Sequence, residues 1–266
     1  MKKRTLGQAI TVVKIGGNVI DNDEALKQFV ADFAAIEGPK ALIHGGGKLA
    51  TRLAERLEIP TQMIEGRRVT DAATIEVVTM VYAGLLNKRI VAALQSKGCN
   101  AIGLSGADAN VIPAHRRAPK PIDYGFVGDI NTDEMGHQTL AALLDAGLTP
   151  VFCAITHDGQ GTLLNSNADS VASAVAVALT KIAPTDLHFC FEREGVLADI
   201  NDESSLIKQI SSREEFKRLS DEGIISAGML PKIENALRAC ESGVRSVVIK
   251  HSKRVADHNA GTKITL

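Results

Sequence analysis

Short apolar runs alternate with longer amphipathic stretches along almost the whole chain. Residues 11–15 and 41–43 are apolar runs of strand length, and each ends in a glycine cluster. Residues 21–38 read as an amphipathic helix with Leu26, Phe29, Val30, Phe33 and Ala34 on one face, stopped by Gly38-Pro39. Leu49, Leu53 and Leu57 mark a second helix that ends before Pro60. Thr70 is placed to N-cap a long helix over 71–97, closed by Gly98. Its apolar face takes Ile75, Val78, Val81, Leu85 and Ile90. Residues 101–104 read as a strand. Residues 111–130, polar and carrying Pro113, Pro119 and Pro121, read as hairpins or loops. Residues 139–146 follow as a helix and 148–155 as a strand. The Ala/Val-rich stretch 168–181 is a buried helix. A strand over 187–191, helices over 212–219 and 231–241, and a last clear strand over 244–249 complete the order. This alternation predicts an α/β fold with a mainly parallel sheet covered on both faces. The length also allows a TIM barrel, but the helix-free middle favours an open sheet.

Composition narrows the function. The 266 residues carry a formal net charge of −1, with 45% hydrophobic and 23% charged positions. No long basic block occurs, aromatics are 3% and Trp is absent, so nucleic acid is not expected as a partner. No apolar stretch approaches membrane-spanning length, and the basic N-terminus leads into a strand rather than a signal-peptide core; no membrane partner and a cytoplasmic location are expected. Cys99, Cys153, Cys190 and Cys240 lie far apart, each beside apolar sequence, and read as buried free thiols.

The candidate chemistry sits at the strand ends. Gly16-Gly17 and Gly45-Gly46-Gly47 let several backbone N–H groups converge on one anion, with a helix N-terminus just beyond. Two such turns on consecutive strands suit a polyphosphate, and Lys14 supplies a point charge. Neither turn is a Walker A loop or a dinucleotide fingerprint. Lys14 alone reads equally as a solvated strand-end lysine, and His44, without metal-ligand companions, reads as structural. Arg68, in Glu65-Gly66-Arg67-Arg68-Val69-Thr70, can pair with a carboxylate or stand on the surface. Asn165, Asn167 and Asp169 alternate ahead of the buried helix, where a cap needs only one such residue. Lys232 opens a helix, where a cation is locally unfavourable and a compensating anion is a reasonable expectation.

As a set these residues resemble the amino acid kinase family. The match is carried by Lys14-Ile15-Gly16-Gly17, His44-Gly45-Gly46-Gly47 and Gly66-Arg67-Arg68-Val69-Thr70. It continues through Gly103-Leu104-Ser105-Gly106-Ala107-Asp108, Asp123-Tyr124-Gly125-Phe126-Val127-Gly128-Asp129, Asn165-Ser166-Asn167-Ala168-Asp169, Gly228-Met229 with Lys232, and Ala260-Gly261-Thr262. The later motifs are similar to those of the branch that uses ATP to phosphorylate the γ-carboxylate of N-acetyl-L-glutamate or a related N-acylglutamate, the second step of arginine biosynthesis. The resemblance implies a three-layer α/β/α sandwich with a central, mainly parallel eight-stranded sheet. It implies one domain, with residues 1–165 binding the acyl amino acid and 166–266 binding ATP, and a homodimer joined through the helix over 70–97. Lys14, Lys232 and Asp169 would be catalytic. Gly46, Gly47, Arg68, Asn165 and Asn167 would bind the substrate. Gly16, Gly17, Gly45, Glu192, Gly195, Leu197, Gly228 and Met229 would bind the nucleotide. Mg2+ would be held mainly by the ATP phosphates, with no protein metal ligands.

The chain departs from the family pattern at Phe191-Glu192, where a small residue and an Asp are usual, and at Lys48 and Ser226-Ala227. Only about ten residues precede the first strand, which predicts a dimer insensitive to arginine. Other readings are a kinase for N-succinylglutamate, carbamate, aspartate, glutamate or UMP, or a nucleotide-binding homologue without catalysis.

Overall fold

The computed structural model describes residues 8–199, 201–225 and 228–266. The departure at Ser226-Ala227 lies outside the described residues. In chain order the strands are β1 (Ile10–Ile15), β2 (Lys40–His44), β3 (Gln62–Ile64), β4 (Arg67–Val69), β5 (Ala101–Leu104), β6 (Ala114–Arg116) and β7 (Gly128–Ile130). Then come β8 (Thr149–Cys153), β9 (Ile155–His157), β10 (Leu163–Asn165), β11 (Thr185–Phe191), β12 (Gln209–Ile210), β13 (Ser246–His251) and β14 (Thr262–Ile264). Eight of them form one open sheet in the order β12-β14-β13-β11-β1-β2-β8-β5. Within it only the β13–β14 pair is antiparallel. The expected eight-stranded, mainly parallel sheet is present, and the barrel is not.

Helices Asp23–Ala35 and Ala72–Gln95 cover one face; His137–Asp145, Ala168–Thr180 and Leu230–Glu241 cover the other. Both faces are therefore dry, which is why β2 and β8 are buried at every position. β1 has β2 on one side and β11 on the other, so the strand order turns around it. The carboxyl ends of β1, β2 and β11 carry the glycine turns and Phe191, the crevice where open α/β sheets bind ligands.

Several elements differ from their expected form. The helix expected over 21–38 runs over Asp23–Ala35, because Asn22 accepts a bond from the Ala25 N–H and caps it, and a separate short helix, Gly17–Ile20, precedes it. Leu57 falls after the helix Gly47–Arg56 and is half exposed. The long helix is capped by Asp71, not Thr70; the Asp71 side chain accepts from the Thr74 N–H. Its middle, Met80–Leu86, is a π-helical turn. That turn shifts the helical phase, so Leu85 leaves the buried face and is half exposed while Leu86 is buried. With 24 residues this helix is long and apolar enough to cross a membrane, contrary to the expectation from sequence, but its inner face packs on the sheet through Val78, Val81, Leu86, Ile90 and Leu94. The strand expected over 148–155 breaks after Cys153, and β9 instead pairs antiparallel with β10. A further strand, β14, follows what read as the last strand and lies between β13 and the edge strand β12. In the helix-free middle, β6 and β7 form an antiparallel hairpin.

Candidate active site

Alternation along β1 buries Val13 and Ile15 on one side of the sheet and sends Lys14 to the other. There its Nζ lies 2.8 Å from Asp169 Oδ1. Asp169 sits in the first turn of Ala168–Thr180, where a carboxylate complements the helix dipole. Asn167 is the cap: its Oδ1 accepts from the Asp169 and Ser170 N–H groups at 2.9 and 3.1 Å. Lys232 lies in the first turn of Leu230–Glu241 with its Nζ 4.2 Å from the Phe191 ring centroid. Burial lowers its pKa, Asp169 works against that, and Lys14 lowers it again. Two lysines and one carboxylate thus share a field. The aromatic face of Phe191 partners the Lys232 ammonium. Glu192 accepts from Asn18 Nδ2 at 2.8 Å, and Asn18 Oδ1 accepts from Lys48 Nζ. Two departures from the family pattern, Lys48 and Glu192, are therefore joined through Asn18.

The second glycine turn is held from below. His44 is buried, with Nδ1 2.8 Å from the Gly45 carbonyl and Nε2 3.1 Å from Asn87 Nδ2. The carbonyl only accepts, so Nδ1 carries the proton. Burial pushes the His44 pKa down to about 4, so the ring is neutral and structural, as expected. A Cβ at Gly46, whose φ is +153°, would stand 2.2 Å from Leu86 Cδ1 and 3.2 Å from the Tyr82 ring, so only glycine fits.

β3 and β4 form a hairpin turned by Glu65-Gly66, and this hairpin carries Arg68 inward. Arg68 is buried, its Nη2 donating to the Gly47 carbonyl at 2.9 Å and to Thr51 Oγ1 at 2.7 Å. Among the described residues its hydrogen bonds go to neutral oxygens only. A buried guanidinium without a carboxylate is a place for one. Asn165, at the end of β10, donates to Thr70 Oγ1 at 3.1 Å. A Cβ at Gly125 would stand 2.1 Å from the Thr70 carbonyl, so the 123–129 segment lies directly against this strand end.

One cavity gathers Lys14, Gly17, Gly45, Gly46, Gly47, Arg68, Asn165 and Asn167. Gly16, Glu192, Gly195, Leu197, Gly228 and Met229 lie outside it. Gly16 packs on Cys190 and Phe191, and Gly195 on Leu206 and Thr262. Leu197 is buried and bridges to Leu206, Gly228 is in the turn before Leu230–Glu241, and Met229 is that helix's N-cap. The cavity also takes Tyr82 and Arg117, which sequence reasoning missed. Arg117 is anchored by Asp129, whose carboxyl it holds below the usual range. Among the described residues no three His, Cys, Asp or Glu side chains cluster as a metal site.

Comparison with known proteins agrees with this geometry. The profile of the amino acid kinase family matches residues 9–251. The chain is 50% identical over 257 residues to an acetylglutamate kinase from Phocaeicola vulgatus, covering 97% of this chain and 98% of the relative. It is 38% identical over 242 residues to one from Methanopyrus kandleri, covering 90% and 93%. Among solved structures, smu.665 from Streptococcus mutans superposes with a TM-score of 0.75 at 28% identity, over 96% of this chain and 98% of that one. N-acetylglutamate synthase from Neisseria gonorrhoeae, at 22% identity, shares the fold with a TM-score of 0.81, over 98% of this chain and 60% of that one. With its sheet order, its paired Lys14 and Asp169, and a family match across most of its length, this chain belongs to the amino acid kinase family.

Proposed function

We propose that this chain transfers the γ-phosphoryl group of ATP to the γ-carboxylate of N-acetyl-L-glutamate, the acyl-phosphate step of arginine biosynthesis. The observation that carries the reading is one cavity lined by Lys14, two glycine turns and a buried Arg68 that, among the described residues, bonds only to neutral oxygens; Asp169, the ion-pair partner of Lys14, and Lys232 lie outside that lining. The full-length similarity to acetylglutamate kinases supports it.

Phosphoryl transfer needs placement and charge neutralisation more than covalent chemistry. The attacking carboxylate is ionised at neutral pH, so no general base is required. In this reading Lys14 neutralises the moving phosphoryl group and Lys232 the nucleotide phosphates. Asp169 holds the lysines in place, and the Gly17 and Gly46 N–H groups meet the γ-phosphoryl. Arg68 takes the substrate's α-carboxylate and Asn165 its amide end, with Asn167, Gly45 and Gly47 shaping the floor. Gly16, Glu192, Gly195, Leu197, Gly228 and Met229 frame the nucleotide side. Residues up to about 165 then serve the acyl amino acid and 166–266 serve ATP. Mg2+ arrives with ATP as part of that substrate.

We also infer a cytoplasmic homodimer joined through Ala72–Gln95, whose outer face exposes Met80 and Leu85. Light scattering at the mass of one chain would refute the dimer.

The activity is tested by ADP release and by trapping the acyl phosphate with hydroxylamine. Both are expected to depend on added N-acetylglutamate. Greater turnover of N-succinylglutamate, carbamate, aspartate, glutamate or UMP would move the chain elsewhere in the family. ATP binding without turnover of any of these would make it a non-catalytic homologue.

A further inference from the structure

Tyr82 lies in the π-helical turn of the long helix and is 6% exposed. Its ring packs beneath Gly46, with Cδ1 and Cε1 both 3.2 Å from where a Cβ would stand. Its hydroxyl is 3.8 Å from the corresponding point on Gly47. The side chain lines the same cavity as Lys14, Arg68 and Asn165. Among the described residues, that hydroxyl has no hydrogen-bond partner. The ring is buried against Gly46, while the hydroxyl opens on the cavity, where it can donate to a bound ligand. Phe would fill the ring's place equally well, so the cavity-facing hydroxyl is not explained by packing. Burial raises its pKa and the Arg68 charge acts against that. The group therefore stays protonated at neutral pH and is available as a donor beside Arg68.

We propose that Tyr82 is a substrate-binding residue whose hydroxyl donates a hydrogen bond to the acylglutamate carboxylate that Arg68 pairs. This rests on the function proposed above. Arg68 already donates to the Gly47 carbonyl, and the Tyr82 hydroxyl lies beside the same residue. A carboxylate at that corner meets a guanidinium and a phenol donor together. The guanidinium supplies charge and the phenol fixes which way the carboxylate plane is turned. A carboxylate turned correctly at the α-carbon aims the γ-carboxylate toward Lys14.

Tyr82→Phe is the direct test, because it removes one oxygen and keeps the ring under Gly46. The expected result is a KM for N-acetylglutamate raised about tenfold, equivalent to about 1.4 kcal/mol. The KM for ATP should stay within about twofold and the Tm within about 2 °C of wild type. A packing role alone predicts no change in either KM. Wild-type enzyme in the same assay separates the two ideas. If wild type does not turn over N-acetylglutamate, the function is wrong. If wild type does so and Tyr82→Phe matches it, or raises both KM values equally, the Tyr82 proposal is overturned.

Discussion

Two walls of the crevice at the carboxyl ends of β1, β2 and β11 hold charge in different ways. The wall built from residues 14–68 presents backbone. Its glycine turn is fixed beneath by Leu86 and Tyr82 and from the side by His44, and a Cβ at Gly46 has no room. The wall around Phe191 and Lys232 presents side chains. There an ammonium rests on an aromatic face, and Glu192 reaches Lys48 through Asn18. Backbone N–H groups point correctly only if the chain path is exact to a fraction of an ångström, so the first wall keeps the family motifs. Side-chain contacts can be rebuilt from other residues on an unchanged backbone, and the described departures are side chains of that kind: Phe191 and Glu192 on the second wall, and Lys48, joined to Glu192 through Asn18, just after the glycine turn of the first. The contrast teaches that motif fidelity follows what the backbone must do.

The contrast breaks most sharply at Lys14. Lys14→Ala is expected to lower kcat by about 10²–10³, similar to losing one preorganised donor. Lys14→Arg should not restore it, since a planar fork misplaces the charge beside Asp169. Wild-type kcat in Lys14→Ala would remove this wall from the chemistry. Next in size is Arg68→Ala, which loses a charge-assisted contact of about 1.5–3 kcal/mol. That loss should appear as a raised KM for the acylglutamate with the KM for ATP little changed; equal damage to both would move the substrate elsewhere.

Acid should weaken both walls. Burial lowers the His44 pKa to about 4 and, with Lys250 adding to it, the His188 pKa to about 3. Both rings are neutral in the folded chain and titrate near 6.5 when unfolded. Their contribution to stability is complete above pH 6.5 and is lost as pH falls toward 4 and then 3. In that window each histidine removes up to about 1.4 kcal/mol per pH unit. Denaturant melts at pH 7.5, 6 and 5 would read the slope, and a flat profile would mean that both rings take up protons in the folded chain as readily as in the unfolded one.

The smallest effects belong to the second wall. Phe191→Leu removes the aromatic partner of Lys232, worth about 0.5–1 kcal/mol, and should raise the KM for ATP two- to fivefold. Glu192→Gln should change the KM for ATP or GTP by less than about twofold, because the exposed Glu192 carboxylate is engaged with Asn18. A tenfold change there would show that Glu192 reads the nucleotide itself.

What was legible in the sequence follows the same division. β1 and β2 were plain because buried parallel strands are continuous apolar runs ending in glycine. Asp169 and Asn167 were legible because polar residues before an Ala/Val-rich helix are conspicuous. β14 was not, since a strand of three residues carries no period. Tyr82 was hidden inside an apolar helical stripe, where a phenol counts as one more hydrophobe. Arg117 was hidden in a stretch without periodicity, and its place depends on a hairpin that brings Asp129 beside it. The Asp71 cap was displaced from the expected Thr70 because the Thr70 hydroxyl is committed to the Arg68 carbonyl and to Asn165.

The wide turn at Met80–Leu86 also has an arithmetic. Tyr82 and Asn87 are five residues apart, which in a regular α-helix points them about 140° from each other. Yet Tyr82 touches Gly46 and Asn87 bonds to His44, two residues away in the same turn. An i→i+5 turn gains one residue of phase and lets both reach one target. One residue's worth of phase is carried by those seven, and the contacts that follow depend on it. Deleting one of them would leave the helix intact as a helix, while swinging Asn87, Ile90 and Leu94 about 100° from the sheet they now face. The length of this helix is thereby counted against the Gly45-Gly46-Gly47 turn, and point substitutions there should be far better tolerated than any single-residue deletion.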